Sequence, residues 1–343
     1  MPTRILKYLV ASRGGRLRYL PVVVLMPHSR CNCKCVMCDI WKGNQEKREL
    51  TSDDLAPHLE TFRRFRTRHV VLSGGEPLMH SNLWSFCQAL KTLGVRISLL
   101  STGLLLKDNA SQIRASCDEV IVSVDGSRGI HNQIRRIPQA YEKLEAGVQA
   151  LKAGGRFRVT GRCVLQRDNY FDLSNIVESA RALALDQISF LAADVSSSAF
   201  NRPQPWSNER ASEIALNDEE VVRFKNVMED FIKVHSRELE SGFIAESADK
   251  LRRLPAYYSA IRGRNDFPQN RCNAPWVSAV VEADGTVRPC FFHKALGNIH
   301  QHSLDAILNS PEAITFRRQL DVKSDPVCKK CVCTLYLNPR AGL

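Results

Sequence analysis

The stretch Cys31-Asn-Cys-Lys-Cys35-Val-Met-Cys38 follows, across a short proline-containing link, the β-branched run Val22-Val-Val-Leu-Met26. Cysteines 31, 35 and 38 give the spacing CxxxCxxC in the loop after a first strand. Three thiols are an informative number, because structural zinc sites close their coordination with four ligands. A [4Fe-4S] cubane held by three thiolates instead keeps one iron open to a ligand from outside the protein. Cys33 lies between them and reads as a small packed side chain facing away, since using it as a ligand would leave Cys31 without a role.

Outward from this loop the chain alternates β-rich runs with amphipathic helical stretches as far as residue 192. The runs 22–26, 69–72, 96–100, 119–124, 158–165 and 187–191 read as strands, and 52–65, 83–93, 106–114, 140–153 and 173–183 carry apolar residues at helical spacing. Strands separated by helices make right-handed βαβ units, hence a parallel sheet that is open or rolled into a partial barrel. The segment 195–215, with consecutive serines, prolines and Trp206, breaks the pattern and reads as a connector or active-site loop. Helices are expected at 218–239 and 247–262. After Cys272, the runs 277–282 and 286–291 flank Asp284-Gly285 and read as a β-hairpin, and a helix at 303–320 leads to the last cysteines. The expected domain plan is a basic segment 1–20, an α/β core 21–215, a helical connector 216–265 and a cysteine-rich region 266–343. That last region is too small for a large core of its own, so a metal cluster is expected to support it.

Parallel α/β proteins place their sites at the carboxyl ends of strands. Three motifs stand there: Ser73-Gly74-Gly75-Glu76-Pro77, Ser101-Thr102-Gly103 and Ser123-Val-Asp125-Gly126. The two glycines let the backbone approach a ligand closely, and Glu76 can pair with an ammonium group. On the fifth run Arg162 shares a face with Thr160 and Val164, because side chains alternate. Inside a barrel it needs an anionic partner, since an unpaired buried charge is costly; a structural or surface arginine is the competing reading. Cys163, Cys87 and Cys117 read as core residues. His300 and His302 read as solvated loop residues, and His131, Arg135 and Arg136 as a solvated helix start.

With these motifs in this order, the chain resembles the radical S-adenosylmethionine (radical SAM) enzymes over roughly residues 20–335. The resemblance implies an α/β fold, a partial (β/α)6 TIM-like barrel. It implies a [4Fe-4S] cluster on Cys31, Cys35 and Cys38 whose open iron is chelated by the amino and carboxylate groups of S-adenosylmethionine. Reductive cleavage then gives methionine and a 5′-deoxyadenosyl radical, which abstracts a hydrogen atom from substrate. By the same resemblance Gly74, Gly75, Glu76 and Pro77 hold the amino group and Arg162 meets the carboxylate. Ser123 and Asp125 serve the ribose or the reacting centre, with Ser101 or Thr102 as a lesser contact.

The second constellation, Cys272-x12-Gly285-x4-Cys290 followed by Cys328-x2-Cys331-x-Cys333, resembles the SPASM/twitch extension of that family. It implies an auxiliary [4Fe-4S] cluster on Cys272, Cys290, Cys328 and Cys331, with Cys333 able to replace one of them. Taken in isolation, the same four thiolates suit zinc. Because the sequence ends at Leu343, a single auxiliary cluster, the twitch form, is the expectation.

Composition bounds the rest. The 343 residues are 44% hydrophobic and 24% charged, which excludes disordered, collagen-like and coiled-coil classes. No apolar run near the N-terminus approaches the roughly 20 residues that span a bilayer, and no signal peptide is read. Four of the twelve cysteines lie between Cys31 and Cys38 and five between Cys272 and Cys333, a clustering that points to metal ligation in a reducing, cytoplasmic compartment. The net charge of +12 would suit an anionic partner, and a solvated, Arg-rich surface is the simpler reading of it. Arg4, Lys7, Arg13, Arg16 and Arg18 precede any acidic residue, so the N-terminus could also touch a membrane surface.

The expected function is hydrogen abstraction from a small polar metabolite, oxidised with the auxiliary cluster as electron acceptor and served by a low-potential donor such as flavodoxin or ferredoxin. The lack of an additional N-terminal peptide-recognition domain favours a small molecule over the competing role, maturation of a ribosomal peptide or protein. A zinc-stabilised nucleic-acid-binding protein is the reading from another class. It explains neither Gly74-Gly75-Glu76-Pro77 nor the other strand-end motifs, and no aromatic-basic RNA-binding signature accompanies it, so nucleic acid is not expected as a partner.

Overall fold

Each apolar, β-branched run forms a strand, because branched side chains pack well on a pleated, covered surface. The computed structural model describes residues 14–338. Arg4, Lys7 and Arg13, and with them the expected membrane contact of the basic segment, lie outside the described residues. The elements are β1 (Val22–His28), α1 (Leu59–Arg64), β2 (His69–Gly74), α2 (Leu83–Lys91), β3 (Arg96–Ser101), α3 (Ala110–Ser116), β4 (Glu119–Ser123), α4 (Arg128–Arg135) and α5 (Ala140–Ala153). There follow β5 (Arg158–Leu165), α6 (Leu173–Ala182), β6 (Gln187–Ala192), α7 (Asn208–Ile214), α8 (Asp218–Val234) and α9 (Ala248–Ile261). Last come β7 (Ser278–Val281), β8 (Thr286–Arg288), β9 (Gly297–Asn298), α10 (Leu304–Leu308) and α11 (Pro311–Gln319).

Strands β1 to β6 are parallel neighbours, and the full sheet order is β6-β5-β4-β3-β2-β1-β7-β8-β9. The six do not close on themselves, which leaves the partial barrel that the sequence leads one to expect. Both open edges are covered, as exposed edges invite pairing with other chains. β7 takes the free edge of β1, with Val22 to Leu25 opposite Ser278 to Val281. At β6, Ile188 N donates to Phe243 O at 2.8 Å and Ala245 N to Ile188 O at 2.9 Å.

Alternation of side chains separates a core face from a lumen face. Leu25, Leu72, Leu99, Val122, Cys163 and Phe190 point outward and are at most 2% exposed. The register stacks the inward residues in layers: Val24, Val71 and Ser98 at the base, then Leu100, Ile121 and Thr160, then Ser123, Arg162 and Ser189. Glu119 closes the base, accepting from Ser98 Oγ at 2.5 Å and Arg158 Nε at 3.2 Å and pairing with Arg96. The uppermost layer is only half-buried, so the lumen opens at the carboxyl ends of the strands.

The hairpin forms as expected, with Val281 opposite Val287 and Gly285 at φ +82° in the turn. The cysteine-rich region, expected to lean on a metal for want of its own core, also shares the core of the barrel. Val281, Val287, Ile299 and Leu304 belong to one apolar cluster with Leu25 and Leu50. The expected helix 303–320 is two helices, because Ser310 caps a second start and Pro311 occupies its first turn. The helix expected from 106 begins at Ala110, and that expected at 218–239 breaks at His235. The helix start expected around His131 is α4, whose first turn is polar, whereas α7, capped by Ser207, forms within the loop-like 195–215 composition.

Helix α9 is pinned to the strand ends by Tyr258, whose buried hydroxyl donates to Leu165 O at 2.5 Å and accepts from Ala193 N at 3.0 Å. Tyr258→Phe should cost about 0.5–1.5 kcal/mol, the net worth of the lost hydroxyl bonds, because Ala193 N still donates to Leu165 O at 3.0 Å. A denaturant midpoint unchanged from the parent protein would contradict this.

Candidate active site and metal centres

A loop that presents several thiols outward has few hydrogen bonds of its own, so its backbone must be satisfied by neighbours. Asn44 grips Cys31 from both sides: its Oδ1 accepts from Cys31 N at 2.9 Å and its Nδ2 donates to Cys31 O at 2.8 Å. The end of α4 takes the next residues, with Lys34 N on Arg135 O at 3.2 Å and Val36 N on Ile134 O at 3.1 Å. Arg202 donates to Met37 O at 3.3 Å, Arg210 to Val36 O, and Trp206 Nε1 to Asp39 Oδ2 at 2.6 Å. Arg202 is itself buried, bonded to Asp194 Oδ2 at 2.7 Å and stacked 3.7 Å over the Trp206 ring. The 195–215 segment is thus a strap across the cysteine loop.

Cys31, Cys35 and Cys38 are free thiols close enough to perturb one another electrostatically. The hydrogen bond from Cys33 and, against burial, the Arg135 guanidinium pull Cys35 down to about 6. Arg135 Nη1 lies 3.4 Å from Cys35 Sγ. Burial pushes Cys38 up to about 12 and raises Cys31 as well. Metal replaces the proton on such thiols, so three unbridged sulfurs beside a guanidinium, Cys35 buried and Cys31 and Cys38 half-buried, suit a cluster ligand set. Cys33 is 1% exposed and packed in the core as expected, but its thiol turns to Cys35 and does not face away from the ligand cysteines.

The strand-end motifs meet around this loop, but several do a different job from the one expected. Glu76 is 0% exposed and its carboxylate is already occupied. It accepts from Leu78 N at 3.1 Å, Ser101 Oγ at 3.1 Å, Thr102 N at 2.7 Å and Thr102 Oγ1 at 2.7 Å. Burial raises its pKa, opposed by these bonds. Direct pairing of Glu76 with an ammonium is therefore corrected to a linking role between the ends of β2 and β3, and Pro77 begins the buried turn that follows. The hydroxyls of Ser101 and Thr102 belong to the same network, and Thr102 Oγ1 reaches Asn32 Oδ1 at 2.9 Å. The glycines likewise serve the protein. A Cβ on Gly75 would lie 2.1 Å from Arg30 O, and Gly74 at φ +101° lies against Met26.

Asp125, expected at the ribose or the reacting centre, is 0% exposed and ion-paired with Arg135, and its Oδ1 accepts from Val164 N at 3.2 Å. Arg135 and His131 are buried and not a solvated helix start, though Arg136 is exposed. Burial lowers His131 to about 4, and its Nδ1 accepts from Asp125 N at 3.2 Å. Ser123 and Arg162 remain available. Paired in register and half-buried on the lumen face, their side chains have no hydrogen-bond or ionic partner among the described residues. Asn32 Nδ2 is a further buried donor left unpaired beside the cysteine loop.

The second constellation also assembles. Cys272, Cys290, Cys328, Cys331 and Cys333 are free, and the electrostatic influence of their neighbours links all five. Asn270 Nδ2 ties the last segment down, donating to Cys328 O at 2.8 Å and Cys331 O at 2.9 Å. Burial pushes Cys290 up to about 11. His300 and His302 are exposed, whereas His293, unremarked in sequence, is buried with its Nε2 3.3 Å from Cys328 Sγ.

Residues 25–180 match the model of the Radical SAM superfamily, and residues 272–332 match that of an iron-sulfur cluster-binding domain, SPASM. The chain belongs to the radical SAM superfamily. Its cofactors are accordingly S-adenosylmethionine with a [4Fe-4S] cluster, and an auxiliary iron-sulfur cluster in the SPASM part. The pre-heme d1 synthase of Dinoroseobacter shibae is 30% identical over 148 residues, 41% of this chain and 37% of that protein. The AdoMet-dependent heme synthase of Oleidesulfovibrio alaskensis is 30% identical over 162 residues, 45% and 41% of the two chains. A probable GTP 3′,8-cyclase of Saccharolobus islandicus is 27% identical over 161 residues, 46% and 52%. The chain thus spans only about two fifths to half of these relatives' length.

Among solved structures, SuiB of Streptococcus suis bound to S-adenosylmethionine superposes with a TM-score of 0.65 over 96% of this chain and 76% of that one, at 14% identity. AdoMet-bound anSMEcpe gives 0.64 over 90% and 86%, at 18% identity. These likenesses show the radical SAM fold. No helix among the described residues is long and apolar enough to cross a membrane.

The contact at Gly75 yields a stability test. Gly75→Ala should destabilise the protein by about 2 kcal/mol or more, because the Arg30 carbonyl is backbone and cannot swing aside. Gly129→Ala, a helical position with open space around it, should be neutral or slightly stabilising. Equal denaturant midpoints for the two variants would contradict the packing argument.

Proposed function

We propose that this radical SAM enzyme removes a hydrogen atom from a small polar metabolite and completes a two-electron oxidation with its auxiliary cluster as electron acceptor. The observation that supports the S-adenosylmethionine site is Arg162, a guanidinium with no hydrogen-bond or ionic partner among the described residues, beside the equally unpaired Ser123 at the open end of the lumen, where the Glu76 and Asp125 carboxylates are already engaged by the protein. Bound S-adenosylmethionine, reduced through the cluster, supplies the carbon radical that takes the hydrogen atom.

The residues divide the remaining work. Cys31, Cys35 and Cys38 hold the first cluster, and Arg135 offsets charge at Cys35. Arg162 receives the methionyl carboxylate, Ser123 offers a hydroxyl beside it, and the backbone of Gly74 and Gly75 borders the amino group. Glu76, Ser101, Thr102 and Asp125 keep these elements in place. The apolar layer of Leu100 and Ile121 limits water beneath the reacting groups. Cys272, Cys290, Cys328 and Cys331, with Cys333 as a substitute for one, hold the auxiliary cluster. A low-potential donor such as flavodoxin or ferredoxin supplies the reducing electron. The small-molecule reading is supported by the net charge of +12 and by the names of the curated relatives, which refer to heme and GTP.

Anaerobically reconstituted protein tests each part. Replacing Cys31, Cys35 and Cys38 by Ala should abolish 5′-deoxyadenosine formation, while Cys33→Ala keeps it. Arg162→Ala should weaken S-adenosylmethionine binding about 10- to 150-fold, the equivalent of about 1.5–3 kcal/mol, with iron content unchanged. Unchanged affinity would remove Arg162 from the site. For the substrate class, deuterium should pass into 5′-deoxyadenosine from a deuterated small-metabolite fraction and not from a peptide fraction. The reverse pattern would assign the enzyme to peptide or protein maturation.

A further inference from the structure

Among the side chains that the proposed reaction leaves unused, His293 has the most specific surroundings. It follows the hairpin and sits 8% exposed at the edge of the five-cysteine cluster, three residues after Cys290. Its ring packs edge-on against Phe316 with centroids 4.9 Å apart, and its carbonyl accepts from Arg288 Nη1 at 3.2 Å. Backbone and ring are thus both fixed. Nε2 stands 3.3 Å from Cys328 Sγ and 3.8 Å from Asp325 Oδ1.

Among the described residues, His293, Asp325 and Cys328 form a trio whose ligand atoms lie within 4.8 Å of one another, which raises the question of a separate metal site. The carboxylate argues against one. Asp325 Oδ1 caps the helical turn that carries the cysteine, accepting from Val327 N at 2.9 Å and Cys328 N at 2.8 Å. It is a structural cap. What remains is the contact between ring and sulfur.

That contact has a fixed direction once metal is bound. A cysteine that ligates metal does so as a thiolate and has no proton to give. The imidazole must then be the donor, whichever tautomer it holds in the metal-free protein. We infer that His293 donates an Nε2–H hydrogen bond to the Cys328 thiolate and, acting through that sulfur, makes the auxiliary cluster easier to reduce. The physical cause is charge. Reduction adds an electron to an already anionic cluster, and a hydrogen bond to a ligand sulfur stabilises that added charge, as outer-shell donors generally do. The nearby Asp325 carboxylate works in the opposite sense, so the ring also offsets a charge that the helix cap requires.

This inference rests on the reading of Cys272, Cys290, Cys328 and Cys331 as an iron-sulfur site, and the experiment separates the two. Reconstituted holoenzyme is titrated to its reduced form and followed by electron paramagnetic resonance, with and without S-adenosylmethionine. The signal that S-adenosylmethionine leaves unchanged reports the auxiliary cluster. His293→Leu and His293→Phe, which remove the donor, should keep the iron content and move that cluster's midpoint to more negative potential. His293→Gln, which restores a donor, should return it toward the parent value. A folded apolar variant with an unmoved midpoint, or no recovery with Gln, would overturn the inference while leaving the auxiliary cluster in place. Loss of auxiliary iron in all three variants would make His293 a ligand and equally overturn it. If the parent protein has no iron-sulfur signal insensitive to S-adenosylmethionine, the auxiliary-cluster reading itself fails, and this inference with it.

Discussion

The cysteine loop, 31–38, makes few backbone hydrogen bonds within itself, and the rest of the structure can be understood as what supplies them. A segment that must present thiols outward cannot also be a helix or a strand, so its buried polar groups are satisfied from outside. Asn44 holds Cys31, the end of α4 holds Lys34 and Val36, and the strap after β6 holds Val36 and Met37 through Arg210 and Arg202. Glu76 N donates to Arg30 O at 2.8 Å, closing the remaining side. Four parts of the chain remote in sequence therefore converge on one loop.

This convergence gives the buried charges their meaning. Asp125 and Arg135, and Asp194 and Arg202, are ion pairs with almost no access to water. Buried pairs seldom add net stability, yet losing one partner is expensive because the other charge is stranded. Such pairs suit a loop that must keep one geometry: each guanidinium also gives one donor to the cysteine loop, Arg135 to Cys35 Sγ and Arg202 to Met37 O. Seen this way, the strand-end motifs mark the inner framework of the site, and the positions they leave open, Ser123 and Arg162, are the ones the proposed reaction uses.

The sequence was legible where chemistry and periodicity coincide. The runs of β-branched residues gave the six parallel strands, the Asp284-Gly285 turn gave the hairpin, and the thiol spacings gave both cysteine sites as places where the chain converges. Arg162 was legible because a charge facing into a barrel is conspicuous. Glu76 and Asp125 misled for the same reason: a carboxylate at a strand end suggests a ligand, and only the three-dimensional contacts show that Thr102, Ser101 and Arg135 have taken it. Asn44, Arg202, Trp206 and His293 were out of reach, because their partners lie 13 to 167 residues away and no local pattern sets them apart from loop residues.

The account turns on S-adenosylmethionine meeting a cluster held in the 31–38 loop. The most direct measurement is electron–nuclear double resonance on the reduced, reconstituted protein with S-adenosylmethionine labelled with 15N in the amino group and 17O in the carboxylate. Hyperfine coupling of both labels to the cluster is the result expected. A well-formed cluster that shows coupling to neither label would contradict the account.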